Sequence, residues 1–518
     1  MKNISKIFLA AALVVFAGCE SDFDNPVDSV QPVSGDADFS KYVAIGNSLT
    51  SGFTDNALFR SAQDNSYPNM LAQRMAMAGG GTFNQPLMPD DIGGFSDFGI
   101  AGKLTLQIVN GALTPVPTPA QSPFTMASGG PFNNMGVPGA KSYHLLAPGY
   151  GNPAGIATGT ANPYFARFAT SPNATVLGDA MAQQPSFFTL WIGNNDVLSY
   201  ATSGGIGVNQ TGNPDPSTYS GNDISDPTLV AGVIQNVLEA LVNQAGARGA
   251  IANIPSITDI PFFNTVPYAP LDPGNPSFGA MIPLLNQTFG QLNMIFDAIN
   301  QPQRKIVFYE DKASPVVIKD ETLADLTTVI RDALMSQGID AGTATVLGAT
   351  YGQARQATAE DLLVFTSSTI IGQIDEARVA ALMQLGVPQE TAAQLSVNGI
   401  TYPLEDQWVL IPSEKQAVAN ATDAYNSAIA QLANAYDLAL VDMNQAMKDL
   451  SSEVGITYNG VNYNTDYVSG STFSLDAVHL SGKGYAIVTN YFIQAINTKY
   501  GSTLPEVNPN NYPGVKIP

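Results

Sequence analysis

Lys41-Tyr42-Val43-Ala44-Ile45-Gly46-Asn47-Ser48-Leu49-Thr50 is the stretch on which the reading of this chain turns. Residues 41–45 are largely apolar, include β-branched side chains and stop at a glycine, which predicts a buried strand running into a loop. A near-continuous apolar run, rather than one apolar at alternate positions, suits a sheet covered on both faces. Open parallel sheets bind ligands at the carboxyl ends of their strands, so the serine just past this strand stands where a cleft is expected.

The chain downstream repeats the theme. Residues 186–192 (SFFTLWI), 250–254, 305–309 (KIVFY) and 438–441 read as further strands. Asp226-Pro227 opens a helix with an N-cap followed by proline in the first turn. Leu229, Val233, Val237 and Leu241 mark its buried face, and Gly246 can close it. Residues 281–299, 413–436 and 485–496 read as helices. In the second of these, Val418, Tyr425, Ile429, Leu432 and Tyr436 share a face, and Ser413 with Gln416 fits a capping box. This alternation predicts an α/β fold with a mostly parallel sheet between helices. Two insertions interrupt it. Residues 54–130 are rich in Gly, Pro and Asn, with one helical stretch at 67–77. Residues 312–405 carry helical segments near 322–336, 358–365 and 374–396. The tail over 501–518 reads as irregular.

The N-terminus predicts export. Lys2 and Lys6 precede a short apolar run over 7–16, too short to span a bilayer, and Phe16-Ala17-Gly18-Cys19 puts small residues before the only cysteine. Residues 1–18 therefore read as a leader. They are similar to a lipoprotein signal, which implies acylation of Cys19 and a lipid anchor, and so a place in the cell envelope, on the outer membrane. Residues 19–39 read as a flexible tether, and 40–500 as the folded domain. A lone cysteine allows no disulfide within the chain. The net charge of −22 supplies no basic face for phosphate, which argues against a nucleic-acid partner.

A serine hydroxyl becomes a useful nucleophile when a base takes its proton, and the chain offers two histidines, His144 and His479. His479 lies in Asp476-Ala477-Val478-His479, so a carboxylate three residues upstream is at hand to orient the imidazole. Asn134-Met135-Gly136-Val137-Pro138-Gly139 is a turn-rich loop whose backbone N–H groups can approach a ligand. Trp191-Ile192-Gly193-Asn194-Asn195-Asp196 ends a strand in amide side chains able to donate to an oxyanion. If residues 194–195 are extended, Asn194 and Asn195 point apart. No Cys/His cluster, Walker loop or dinucleotide fingerprint is present, so no metal or cofactor is expected. Asp215, Asp223 and Asp226 read as members of a solvated loop rather than a calcium site.

Together these four segments resemble, in order, the blocks of the SGNH (GDSL) hydrolase family: Gly46-Asn47-Ser48-Leu49, Asn134 with Gly139, Gly193-Asn194-Asn195-Asp196, and Asp476 to His479. Asn47 departs from the family's usual Asp. The resemblance covers the core from about 41 to 500, without the insertions. It implies a flavodoxin-like three-layer α/β/α fold, with Ser48 as nucleophile, His479 as base and Asp476 as its orienting acid. The implied oxyanion donors are the Ser48 and Gly139 N–H groups and the Asn195 side chain. The implied reaction is hydrolysis of a carboxylic ester (lipid, phospholipid or acetylated sugar) through an acyl-enzyme. The second reading is a non-catalytic surface lipoprotein that uses the same fold to bind a glycan or a partner.

Overall fold

The computed structural model describes residues 31–109 and 111–518; the leader, Cys19 and most of the tether lie outside them. Five strands form the central sheet: β1 (Tyr42–Gly46), β2 (Asn134–Gly136), β3 (Phe187–Trp191), β4 (Arg248–Ala252) and β5 (Ala439–Val441). All pair in parallel, in the order β2-β1-β3-β4-β5. Every residue of β1 and β3 is buried, as continuous apolar runs require when both sheet faces are covered. The chain leaves β1 to one side for β2 and then crosses to the other side for β3. The crevice between the carboxyl ends of β1 and β3 is therefore the switch point where doubly wound sheets bind ligands.

Helices cover the sheet. The short α1 (Ser48–Ser51) follows β1 directly. α2 (Tyr67–Met77) packs on the long C-terminal α7 (Gly482–Tyr500), with the Tyr67 ring stacked on Phe492 at 4.6 Å. α3 (Asn195–Thr202) and α4 (Pro227–Leu238) pack on α6 (Pro412–Ala435). The Asp226 carboxylate caps α4 by accepting the Leu229 N–H at 2.9 Å, as its sequence predicts. The architecture is α/β with a parallel central sheet, compatible with a sheet between two helical layers.

Several local expectations are corrected. Residues 305–309 form no strand. Their backbone is instead held by two asparagine side chains of α5 (Ile282–Ala298). Asn286 accepts the Phe308 N–H and donates to the Phe308 carbonyl, and Asn293 does the same for Ile306 (2.8–2.9 Å). These residues belong to a second hydrophobic core gathered between Val266 and Ile411, so the inserted region reaches beyond 312–405 on both sides. Residues 358–365 carry the two-residue strand Leu362–Leu363 rather than a helix, whereas Ala341–Tyr351 is helical. The cap of α6 is not Ser413 with Gln416: the Glu414 carboxylate reaches back to the Ile411 N–H at 2.8 Å. The insertion after β1 also contains a hairpin of Leu104–Val109 with Ala112–Pro117.

Candidate active site

Ser48 begins α1 because Asn47 stops the strand and caps the helix, its Oδ1 accepting the Leu49 N–H at 3.0 Å. Gly46 permits the turn: a Cβ there would lie 2.4 Å from the Trp191 carbonyl oxygen. At the far end of the chain, residues 474–481 fold over this point. His479 Nε2 lies 3.0 Å from Ser48 Oγ, and His479 Nδ1 lies 2.9 Å from Asp476 Oδ2. Three residues expected from sequence to act together are thus joined in one hydrogen-bonded chain, across the 431 positions between Ser48 and His479. The Phe53 ring packs 4.7 Å from the imidazole.

Asp476 is crowded with donors. Its Oδ1 accepts from the Val478 and His479 N–H groups (2.9 and 2.8 Å) and from the Ser474 hydroxyl (3.0 Å), and its Oδ2 from the Asn56 N–H (2.8 Å). Burial alone pushes the carboxyl up. The imidazole and the backbone donors outweigh it and hold the group far below the ordinary carboxylate range.

The opposite wall comes from β2 and β3. Asn134 is buried; its Oδ1 accepts the Gly136 N–H, and its Nδ2 donates to the Thr50 carbonyl on α1 (both 3.0 Å). Gly139 has φ of +78° and is solvent-exposed. Among the described residues, neither the Gly139 nor the Ser48 N–H has a protein acceptor. Asn195 Nδ2 donates one hydrogen to the Ala140 carbonyl at 2.9 Å, tying α3 to the Gly139 loop and leaving its second hydrogen free. Asn195 opens α3 and its N-cap Asn194 has right-handed helical dihedrals rather than extended ones, so strand alternation does not separate the two asparagines. Burial separates them instead: Asn194 is 3% exposed and receives the Asn47 amide at 3.0 Å, whereas Asn195 is only partly buried. The buried Asp196 holds the same loop through the Ser142 N–H and hydroxyl (2.7 and 2.8 Å).

His144 stands apart from this arrangement. It stacks on Tyr150 with centroids 4.3 Å apart, and its Nδ1 accepts the Lys141 N–H at 3.0 Å. Burial, helped by the Lys141 charge, pushes its pKa down to about 4, and no carboxylate partners it among the described residues. Asp215, Asp223 and Asp226 accept backbone N–H groups of their own loop and helix.

Leu49 and Val478, the chain neighbours of Ser48 and His479, line an apolar cavity of about 80 Å³ together with Trp191, Met443, Met447 and Phe473 among others. Comparison with protein-family models, with curated proteins and with solved structures returned no match.

Proposed function

We propose that this chain is a serine esterase of the SGNH (GDSL) type, with Ser48 as nucleophile. The observation that carries the reading is the Ser48–His479–Asp476 chain at 3.0 and 2.9 Å, at the switch point of a parallel sheet. Asp476 holds the proton on Nδ1, so Nε2 is the free acceptor facing the hydroxyl. As Ser48 Oγ attacks an ester carbonyl, its proton passes to His479 Nε2, and the imidazolium is stabilised by the Asp476 charge. The carbonyl oxygen, now an oxyanion, is received by the Ser48 and Gly139 N–H groups and the free hydrogen of Asn195 Nδ2. The imidazolium then protonates the departing alcohol, leaving an acyl-Ser48 ester. A water, deprotonated by the same imidazole, attacks that ester and releases the acid. The apolar wall of Leu49, Met443, Met447 and Val478 suits an acyl chain.

The lipid anchor at Cys19, with the outer membrane as its place, is part of the same proposal and rests on the leader sequence. Among the described residues no helix is long and apolar enough to cross a membrane. Hydrolysis of p-nitrophenyl acetate, butyrate and longer esters by wild type and Ser48→Ala tests the reading. Turnover by wild type with at least a thousandfold loss in Ser48→Ala is expected; equal rates overturn it. For the anchor, Cys19→Ala should release the protein from the membrane pellet, and its retention there would contradict acylation.

A further inference from the structure

Thr54-Asp55-Asn56-Ala57 is a tight two-residue hairpin. Thr54 and Ala57 exchange both N–H to carbonyl bonds at 3.0 Å. Asp55 and Asn56 both take left-handed conformations, with φ of +50° and +60°. This is the type I′ pattern of two central residues at positive φ, filled here by Asp and Asn, which tolerate it. The turn is aimed at one target. The Asn56 N–H donates to Asp476 Oδ2 at 2.8 Å, the Asp55 N–H to Ser474 Oγ at 2.9 Å, and Asp55 Oδ1 accepts the Leu475 N–H at 3.0 Å. Ser474 passes the contact on, its hydroxyl donating to Asp476 Oδ1 at 3.0 Å. The turn and the acid-bearing loop thus hold each other reciprocally across the 420 positions between Asp55 and Leu475. Neither Asp55 nor Ser474 touches the serine or the imidazole.

We infer that Asp55 is a positioning residue for the acid of the catalytic chain: through Leu475 and Ser474 it fixes the Asp476 carboxylate. The inference rests on the esterase reading above. Besides Asp476, the charged and titratable groups facing Asp55 are Lys103, which precedes the hairpin strand, and Tyr467. Burial pushes the Asp55 carboxyl up to about 6, against the Leu475 N–H and Lys103, which lower it; the Asp476 charge adds to the rise. Asp55 and Ser474 also line a cavity of about 370 Å³ shared with the C-terminal segment 513–518.

Two substitutions separate the roles without adding strain. Asp55→Gly keeps the left-handed turn and removes the carboxylate. Asp55→Asn keeps an acceptor for Leu475 and removes the charge. With p-nitrophenyl butyrate, Asp55→Gly should lose roughly tenfold in kcat at unchanged KM, because the acid is displaced rather than the substrate. Asp55→Asn should lose clearly less than Asp55→Gly, because the acceptor for the Leu475 N–H is kept. Ser474→Ala, with Asp55 intact, should lower kcat in the same sense, and it keeps the test open if Asp55→Gly does not fold. Wild-type kcat in Asp55→Gly or Ser474→Ala, or a loss in Asp55→Asn as large as in Asp55→Gly, overturns the inference. Undiminished hydrolysis by Ser48→Ala would overturn the esterase reading itself, and with it this inference.

Discussion

Asn47 and Asn194 are a matched pair of buried amides. The Asn47 oxygen accepts the Leu49 N–H and its nitrogen donates to Asn194 Oδ1, which leaves Asn194 Nδ2 without a partner among the described residues. An aspartate at 47 would offer only acceptors, and Asn194 could meet it by turning its amide over and using that idle nitrogen. Asn47→Asp should therefore keep kcat/KM within about threefold, measured with a short ester; collapse of the fold would show the pairing to be one-directional. On the esterase reading, Asn195→Ala should cost roughly 10²–10³-fold in kcat, the effect of losing one oxyanion donor. His144→Ala should stay active, because its ring is packed against Tyr150 and has no acid. The meeting of Ser48, His479 and Asp476 was readable in the sequence because each sits in a short motif with its own turn chemistry. Asp55 and Ser474 were not, because their contact joins two loops far apart in the chain. Asp-Asn after Thr54 reads as an ordinary turn.

At the scale of elements, Glu414 makes a pH-dependent contribution to stability. Its carboxylate caps α6 and meets Asp406 and Glu321, their oxygens all within 4.8 Å of one another. Burial pushes its pKa up to about 8 against the Ile411 N–H, and the two neighbouring acids add to the rise. A carboxyl whose folded pKa lies above its unfolded value holds its proton better in the folded state. Stability is then lost as pH rises from the unfolded range near 4.5 towards about 8. Each unit is worth about 1.4 kcal/mol, and water reaching part of the cluster screens roughly half, leaving on the order of 2 kcal/mol between pH 5 and 8. Glu414→Gln should match wild type in Tm near pH 5 and exceed it at pH 8; parallel Tm curves would contradict this. The Asn293 side chain that replaces a strand ladder for Ile306 is also testable. Asn293→Ala leaves a buried residue's backbone groups unpaired and should cost about 1–3 kcal/mol in urea unfolding. KIVFY misleads because a β-branched apolar run carries no mark of what will satisfy its backbone. Here the partners are helix side chains rather than another strand. The core strands were readable because residues such as Phe187 to Trp191 are apolar on both faces.

At the scale of the whole molecule, the two largest hydrophobic cores among the described residues divide the work. The sheet core holds the ends of β1, β2 and β3 in register and so fixes the loops that carry Ser48, Gly139 and Asn195. The second core, between Val266 and Ile411, organises a chain segment that carries none of these groups. On the esterase reading, the narrow apolar cavity beside Leu49 and Val478 sets acyl length, so acetyl and butyryl esters should be turned over faster than long-chain esters. Met447→Ala should shift that preference to longer chains, read as the ratio of kcat/KM across the panel. The claim that joins all three scales is that Ser48 is an activated nucleophile. A fluorophosphonate probe followed by peptide mass spectrometry tests it most directly. The adduct is expected on Ser48, absent in Ser48→Ala and strongly slowed in His479→Ala but not in His144→Ala. An unlabelled folded protein, or an adduct on another serine with Ser48 untouched, would contradict it.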